Sequence, residues 1–190
     1  MQKTGPGHVR IIAGSHRGSK LPIVGVAGLR PTGDRVRETV FNWLQQKIAG
    51  RRVLDAFAGS GALGFEAASR GAASVVLLEF SREAAQSLRE TAKRLAFENV
   101  QIIETDALAW MNTAAAGPFD LVFLDPPFSG ADWPAIWARV TAVLAEHAYV
   151  YVEKPLLEPQ LLPEGLRVLK SGKTKNTAYL LAQWQKPHID

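Results

Sequence analysis

Short apolar runs and amphipathic stretches alternate along most of this chain. Runs over 52–57, 74–80, 100–105, 119–125 and 148–153 are rich in Val, Leu, Ile and Phe, and several have no polar alternation, as expected of strands buried on both faces. Between them, 62–70, 82–96, 108–114 and 133–145 carry apolar residues at helical spacing. This alternation predicts an α/β fold, a mostly parallel sheet with helices on both sides. The tail breaks the rhythm. Segments 166–171 and 178–184 have only a short polar stretch between them, which predicts an antiparallel C-terminal strand pair closing one sheet edge.

Ahead of this body, 9–13 and 20–24 read as the arms of a small β-hairpin around Gly14-Ser15-His16-Arg17-Gly18. A helix is expected over 34–48, because Val36, Val40, Leu44 and Ile48 recur every fourth residue with Phe41 beside them. Thr32 or Asp34 is its expected N-cap. The division expected is a basic hairpin extension over 1–30 and the α/β domain over 31–190.

The 190 residues suffice for one core without a covalent staple. Zero cysteines and four scattered histidines disfavour a thiolate or imidazole metal site, so no metal is expected. No long apolar run or signal-like N-terminus is visible, and a cytoplasmic monomer is expected. The net charge of +4 is unevenly placed: seven cations and one acid precede Glu38, so the rest of the chain is slightly acidic. A basic arm on a near-neutral body suits a polyanion, since grouped cations gain affinity by releasing phosphate counterions. Arg35 and Arg37 fall in the first turn of the expected helix, where its dipole disfavours cations, so a phosphate or carboxylate partner is expected there.

Three strand ends carry acids. Asp55 precedes the turn Gly59-Ser60-Gly61, in which glycines permit a tight bend and close approach of a ligand. A carboxylate here repels a pyrophosphate and receives an ammonium, which disfavours a dinucleotide and hence a dehydrogenase. Glu79 ends the next strand, near the spacing at which an acid holds ribose hydroxyls. Asp106 follows the third strand, placed to accept from an adenine amine. A ribose, an adenine and an α-amino group without phosphate point to S-adenosylmethionine. After the fourth strand stands Asp125-Pro126-Pro127-Phe128. The prolines hold the chain extended and donate no N–H, so the Asp125 carboxylate and a proline carbonyl can face one planar amine while Phe128 offers a stacking surface.

This ordered set resembles the class I Rossmann-like methyltransferases that act on exocyclic amines. Arg10-Ile11-Ile12-Ala13-Gly14, Arg17-Gly18, Arg30-Pro31-Thr32 and the stretch from Asp34 to Leu44 narrow the likeness to RsmD-type methylases, the bacterial small-subunit (16S) ribosomal RNA guanine-N2 methyltransferases. The resemblance implies that Asp55, Phe57, Gly59, Ser60, Gly61, Glu79, Phe80, Asp106 and Ala107 hold S-adenosyl-L-methionine. It further implies that Asp125, Pro126, Pro127 and Phe128 hold the target base, and that Arg10, Arg17, Lys20, Arg35, Arg37 and Lys173 meet ribosomal RNA or the small subunit. The chain departs from the pattern at Val152-Glu153-Lys154-Pro155, where an acid-rich stretch is expected. Two other readings share parts of the set: an adenine-N6 methyltransferase on DNA or RNA, and a non-catalytic RNA-binding module with a relict methyltransferase fold.

Overall fold

In the computed structural model, residues 7–24, 33–113, 117–127, 131–159 and 162–187 are described. The hairpin pairs β1 (His8–Arg10) with β2 (Lys20–Pro22) in a sheet of its own, and α1 (Asp34–Trp43) follows. The body then runs β3 (Arg52–Asp55), α2 (Ala62–Ser69), β4 (Ser74–Glu79), α3 (Arg82–Arg94), β5 (Val100–Glu104), α4 (Ala107–Met111), β6 (Phe119–Leu124), α5 (Trp133–Val143) and β7 (Leu144–Pro155). It closes with β8 (Leu166–Lys173) and β9 (Thr177–Trp184).

Seven strands form one sheet in the order β5-β4-β3-β6-β7-β9-β8. The first five in chain order are parallel, and β9 pairs antiparallel with both β7 and β8. Alternate residues divide between two cores. Val53, Leu77, Leu121, Phe123 and Tyr151 face α1, α2 and α3, whereas Leu54, Leu78, Val122, Leu124 and Val152 face α4 and α5. Burial on both sides explains why these strands lack polar alternation. After β3 the chain winds outward through β4 and β5, then returns to lay β6 on the other side of β3. That reversal opens a crevice at the carboxyl ends of β3 and β6, the usual ligand position in open α/β sheets.

Several boundaries differ from expectation. Helix α1 ends at Trp43, and the chain continues with i→i+3 bonds such as Lys47 N–H to the Leu44 carbonyl, 2.8 Å. The tighter turns keep Leu44 and Ile48 buried, so the four-residue stripe persists beyond the helix. Its N-cap is Gly33, without a side-chain cap; Asp34 is the first helical residue, and Thr32 lies outside the described residues. Strand β7 starts at Leu144, directly after α5, and absorbs the polar stretch Glu146-His147 through a register shift opposite Phe119 and Leu121, with His147 at φ 61°.

The hairpin is welded to the body. Val9, Ile11 and Leu21 join the core beneath α1, α2 and α3. Glu66, wholly buried in the middle of α2, accepts the Ile12 and Ala13 N–H groups at 2.6 and 3.0 Å and pairs with Arg70 at 2.6 Å. Ser69 accepts from the His16 N–H and donates to the Ala13 carbonyl. Gly14 lies so close that a Cβ there meets the Ser69 carbonyl oxygen at 1.9 Å, and its φ of +85° favours glycine.

Candidate functional site

The carboxyl ends of β3, β4 and β6 converge on the crevice. Asp55 is the last residue of β3 and only 1% exposed. Its Oδ2 accepts the Gly64 N–H at 3.0 Å, whereas Oδ1 is buried and makes no hydrogen bond of ordinary length and angle among the described residues, the Phe57 amide standing near the carboxylate without closing on it. Burial raises this carboxyl from 3.8 to about 7, with Glu79 pushing the same way and the Gly64 and Phe57 amides pulling it down. A buried acceptor left open and reluctant to ionise alone fits a ligand that brings its own positive donor.

Glu79 staples two loops together. Its Oε2 accepts the Gly59 N–H at 2.9 Å and its Oε1 the Ser81 N–H at 2.8 Å, holding the glycine turn against the end of β4. Gly61 enters α2 at φ +74°, where a Cβ meets Phe65 and Leu88 at 2.6 to 2.7 Å, so the turn is glycine's by conformation and space. Phe57 and Ser60 are partly exposed. Phe80, the next residue after Glu79, is 79% exposed, an aromatic face offered to solvent at the rim. Asp106 is exposed and caps α4, accepting the Ala109 N–H at 2.8 Å through Oδ1; Ala107 is buried behind it. Its capping role accounts for one carboxylate oxygen.

Asp125 leaves β6 beyond the pairing of Leu124 with Val152, half-buried, with Pro126 buried and Pro127 exposed. Phe128 lies outside the described residues. Beside them on β7, the buried Tyr151 hydroxyl donates to Glu153 Oε2 at 2.8 Å. Burial first, then the charges of Glu153 and Asp125, push the Tyr151 phenol well above its ordinary value.

The expected RNA cations divide. Arg10, Arg17, Lys20, Arg35 and Lys173 are exposed. Arg37 is not: its side chain is buried, donating to the Arg10 carbonyl at 3.0 and 3.1 Å and to Asp34 Oδ1 at 2.5 Å. The partner that offsets this first-turn cation is therefore internal, and Arg37 is corrected from an RNA contact to a clasp between hairpin and α1. Position separates the others. The register Pro155↔Thr177 puts the turn between β8 and β9, with Lys173, at the same sheet edge as Asp125. The hairpin tip is held at the opposite edge, where His16 meets the Leu95 carbonyl at 2.9 Å and Ser15 meets the end of α2. An eight-residue helix of about 12 Å thus stands between Arg17 and the acids.

Sequence reasoning missed Glu66, Ser69 and Tyr151. Glu66 is the one charged residue of a mostly apolar α2, and that isolated acid is a signal that something polar docks on the helix.

The chain is similar to several known proteins. The family described as Conserved hypothetical protein 95 matches residues 9–183. Ribosomal RNA small subunit methyltransferase D of Haemophilus influenzae is 42% identical over 182 residues, covering 93% of this chain and 94% of that protein. Its namesake in Escherichia coli strain K12 is also 42% identical, over 79% of this chain and 76% of its own. The solved structure of a putative methyltransferase from Escherichia coli superposes with a TM-score of 0.85 at 38% identity, over 94% of this chain and 99% of that one.

Proposed function

Because the chain belongs to the Conserved hypothetical protein 95 family of RsmD-type, S-adenosylmethionine-dependent methyltransferases, we propose that it methylates the exocyclic N2 of a guanine in small-subunit ribosomal RNA. The observation that carries this reading is the placement of Asp125 and Pro126 across the chain reversal from Asp55. One side of the crevice suits an ammonium-bearing cofactor and the other a planar amine.

The cofactor, when bound, supplies an electrophilic methyl group on a sulfonium. Asp55 is suited to its ammonium through the open Oδ1, Glu79 to its ribose hydroxyls, Phe80 to its adenine face and Asp106 to the adenine amine. Fixing these ends spends binding energy on orientation. Across the crevice, the N2 amine is a poor nucleophile because its lone pair is delocalised into the purine. Hydrogen bonds from the amine to the Asp125 carboxylate and the Pro126 carbonyl favour a pyramidal nitrogen and aim its lone pair at the methyl carbon. Held there, the cofactor would supply the methyl carbon and its sulfur would keep the C–S bonding pair, while Asp125 and Pro126 hold the nitrogen that makes the new N–C bond. The methylated nitrogen is then cationic and acidic, and its proton leaves by way of Asp125 or water. The base must be unpaired or flipped out, at a cost of a few kcal/mol, roughly offset by aromatic stacking worth about 1–3 kcal/mol, for which Phe128 is the residue expected.

The exposed cations Arg10, Arg17, Lys20, Arg35 and Lys173 are proposed to meet RNA backbone on both edges of the sheet, which a folded RNA large enough to wrap the α1 side satisfies. The test is transfer of labelled methyl groups to small-subunit RNA, or to subunits from cells lacking this methylation, with Asp125→Ala as the blank. Equal labelling by the blank defeats the reading.

A further inference from the structure

Asp125 is not the only acid beside the proposed amine site. Leu124 is in register with Val152, so Asp125 lies alongside Glu153 on neighbouring strands about 4.8 Å apart. Phe123 and Tyr151 both point into the core under α1, and alternation sends the next odd-numbered side chains, Asp125 and Glu153, to that same face. The Tyr151 phenol feels the charge of both. Glu153 is 6% exposed, and the Tyr151 hydroxyl holds its Oε2 at 2.8 Å. The tyrosine bond takes one of the carboxylate's about four lone-pair positions and orients the group.

This placement bears on which base is accepted. On its Watson–Crick edge guanine presents two adjacent donors, N1–H and the N2 amine, whereas adenine and 2,6-diaminopurine present a lone pair at N1. An amine clamp alone accepts any exocyclic –NH2. A second, oriented carboxylate next to it accepts N1–H and repels an N1 lone pair. Building on the guanine-N2 reading above, we infer that Glu153, oriented by Tyr151, is the specificity-determining residue that accepts guanine N1–H beside the Asp125 clamp.

Sites built to hydrogen-bond a particular donor reject analogues lacking it by large factors, up to about 10⁴–10⁵. The experiment uses a synthetic RNA carrying the mapped target guanine, or 2,6-diaminopurine in its place, which keeps the N2 amine and changes N1 from donor to acceptor. The reading is the ratio of kcat/KM for the two RNAs. Wild type is expected to prefer guanine by at least about 10²-fold. Glu153→Gln, which can still bond Tyr151 but offers an amide to the base, is expected to narrow that ratio at least tenfold while cofactor affinity by calorimetry stays within a factor of two or so. Because the ratio is internal to each enzyme, partial loss of folded protein cancels.

A wild-type ratio near one overturns the inference without any variant. So does a Glu153→Gln enzyme whose two rates are unchanged or fall together, which marks a merely structural role. If the wild-type product is not N2-methylguanine, the guanine-N2 reading itself fails; if it is and the ratio is insensitive, only the role of Glu153 fails.

Discussion

Asp55→Asn separates what the crevice does for binding from what it costs the fold. In the folded chain, burial, reinforced by Glu79, holds the Asp55 carboxyl at about 7 rather than 3.8. Below pH 3.8 both folded and unfolded chains keep the proton, and nothing is lost. As pH rises from 3.8 to about 7, the unfolded chain releases a proton that the folded chain retains, so stability falls; above about 7 the loss is complete. At about 1.4 kcal/mol per pH unit, the full loss is on the order of 4 kcal/mol. Asparagine cannot ionise and can still accept from Gly64, but its amide takes the place of Oδ1, which makes no hydrogen bond of ordinary length and angle among the described residues, at a cost of about 1–3 kcal/mol. The net expectation at pH 8 is a variant more stable by about 1–3 kcal/mol, or about 3–9 °C in midpoint for a chain of this size. Near pH 5 most of the wild-type cost is absent and the advantage should vanish. Thermal unfolding without cofactor between pH 5 and 8 measures this, and calorimetry at pH 8 should show the same variant losing most of its cofactor affinity. A variant less stable than wild type by the same margin at every pH refutes the reasoning.

Arg35→Ala and Arg37→Ala should behave differently: loss of exposed Arg35 leaves the fold intact and lowers the salt slope of RNA binding by about 0.7–0.9, whereas loss of buried Arg37 lowers unfolding free energy by about 2–4 kcal/mol. Equal melting curves for the two variants contradict the clasp. Gly14→Ala drives a Cβ into the Ser69 carbonyl at a positive φ, and urea unfolding should show at least about 2 kcal/mol lost; a midpoint within error of wild type shows that the hairpin is not pinned there. Asp125→Ala should lower single-turnover methyl transfer by at least about 10²-fold with cofactor affinity retained, and rates within a few-fold of wild type remove Asp125 from the amine site.

The inner strands β3, β6 and β7 were legible because double-sided burial writes itself as apolar runs, whereas β5, at the sheet edge, alternates with the polar Gln101 and Glu104. The acids were legible because each stands at or just after a strand end. What was not legible depends on partners distant in sequence. Arg37 reads as one more cation of a basic arm until Arg10, 27 residues earlier, folds its carbonyl onto the guanidinium. Asp55 reads as an ionised acid until α2 and β4 close over it, and its shift comes from that burial rather than from its neighbours in the chain. The separation of Arg17 from the acids follows from α2 running back to the far edge of the sheet, a matter of topology that charge counting cannot see. Asp106 shows the opposite case: the sequence suggests a ligand contact, and the structure shows a helix cap made with one of its two oxygens.

The central claim is the identity of the methylated atom. Incubation with isotope-labelled S-adenosylmethionine and small ribosomal subunits lacking the modification, followed by digestion and mass analysis of nucleosides, reads it directly. The account predicts label in N2-methylguanosine at a single small-subunit position. Label in N6-methyladenosine, or none in small-subunit RNA while large-subunit RNA is labelled, contradicts it.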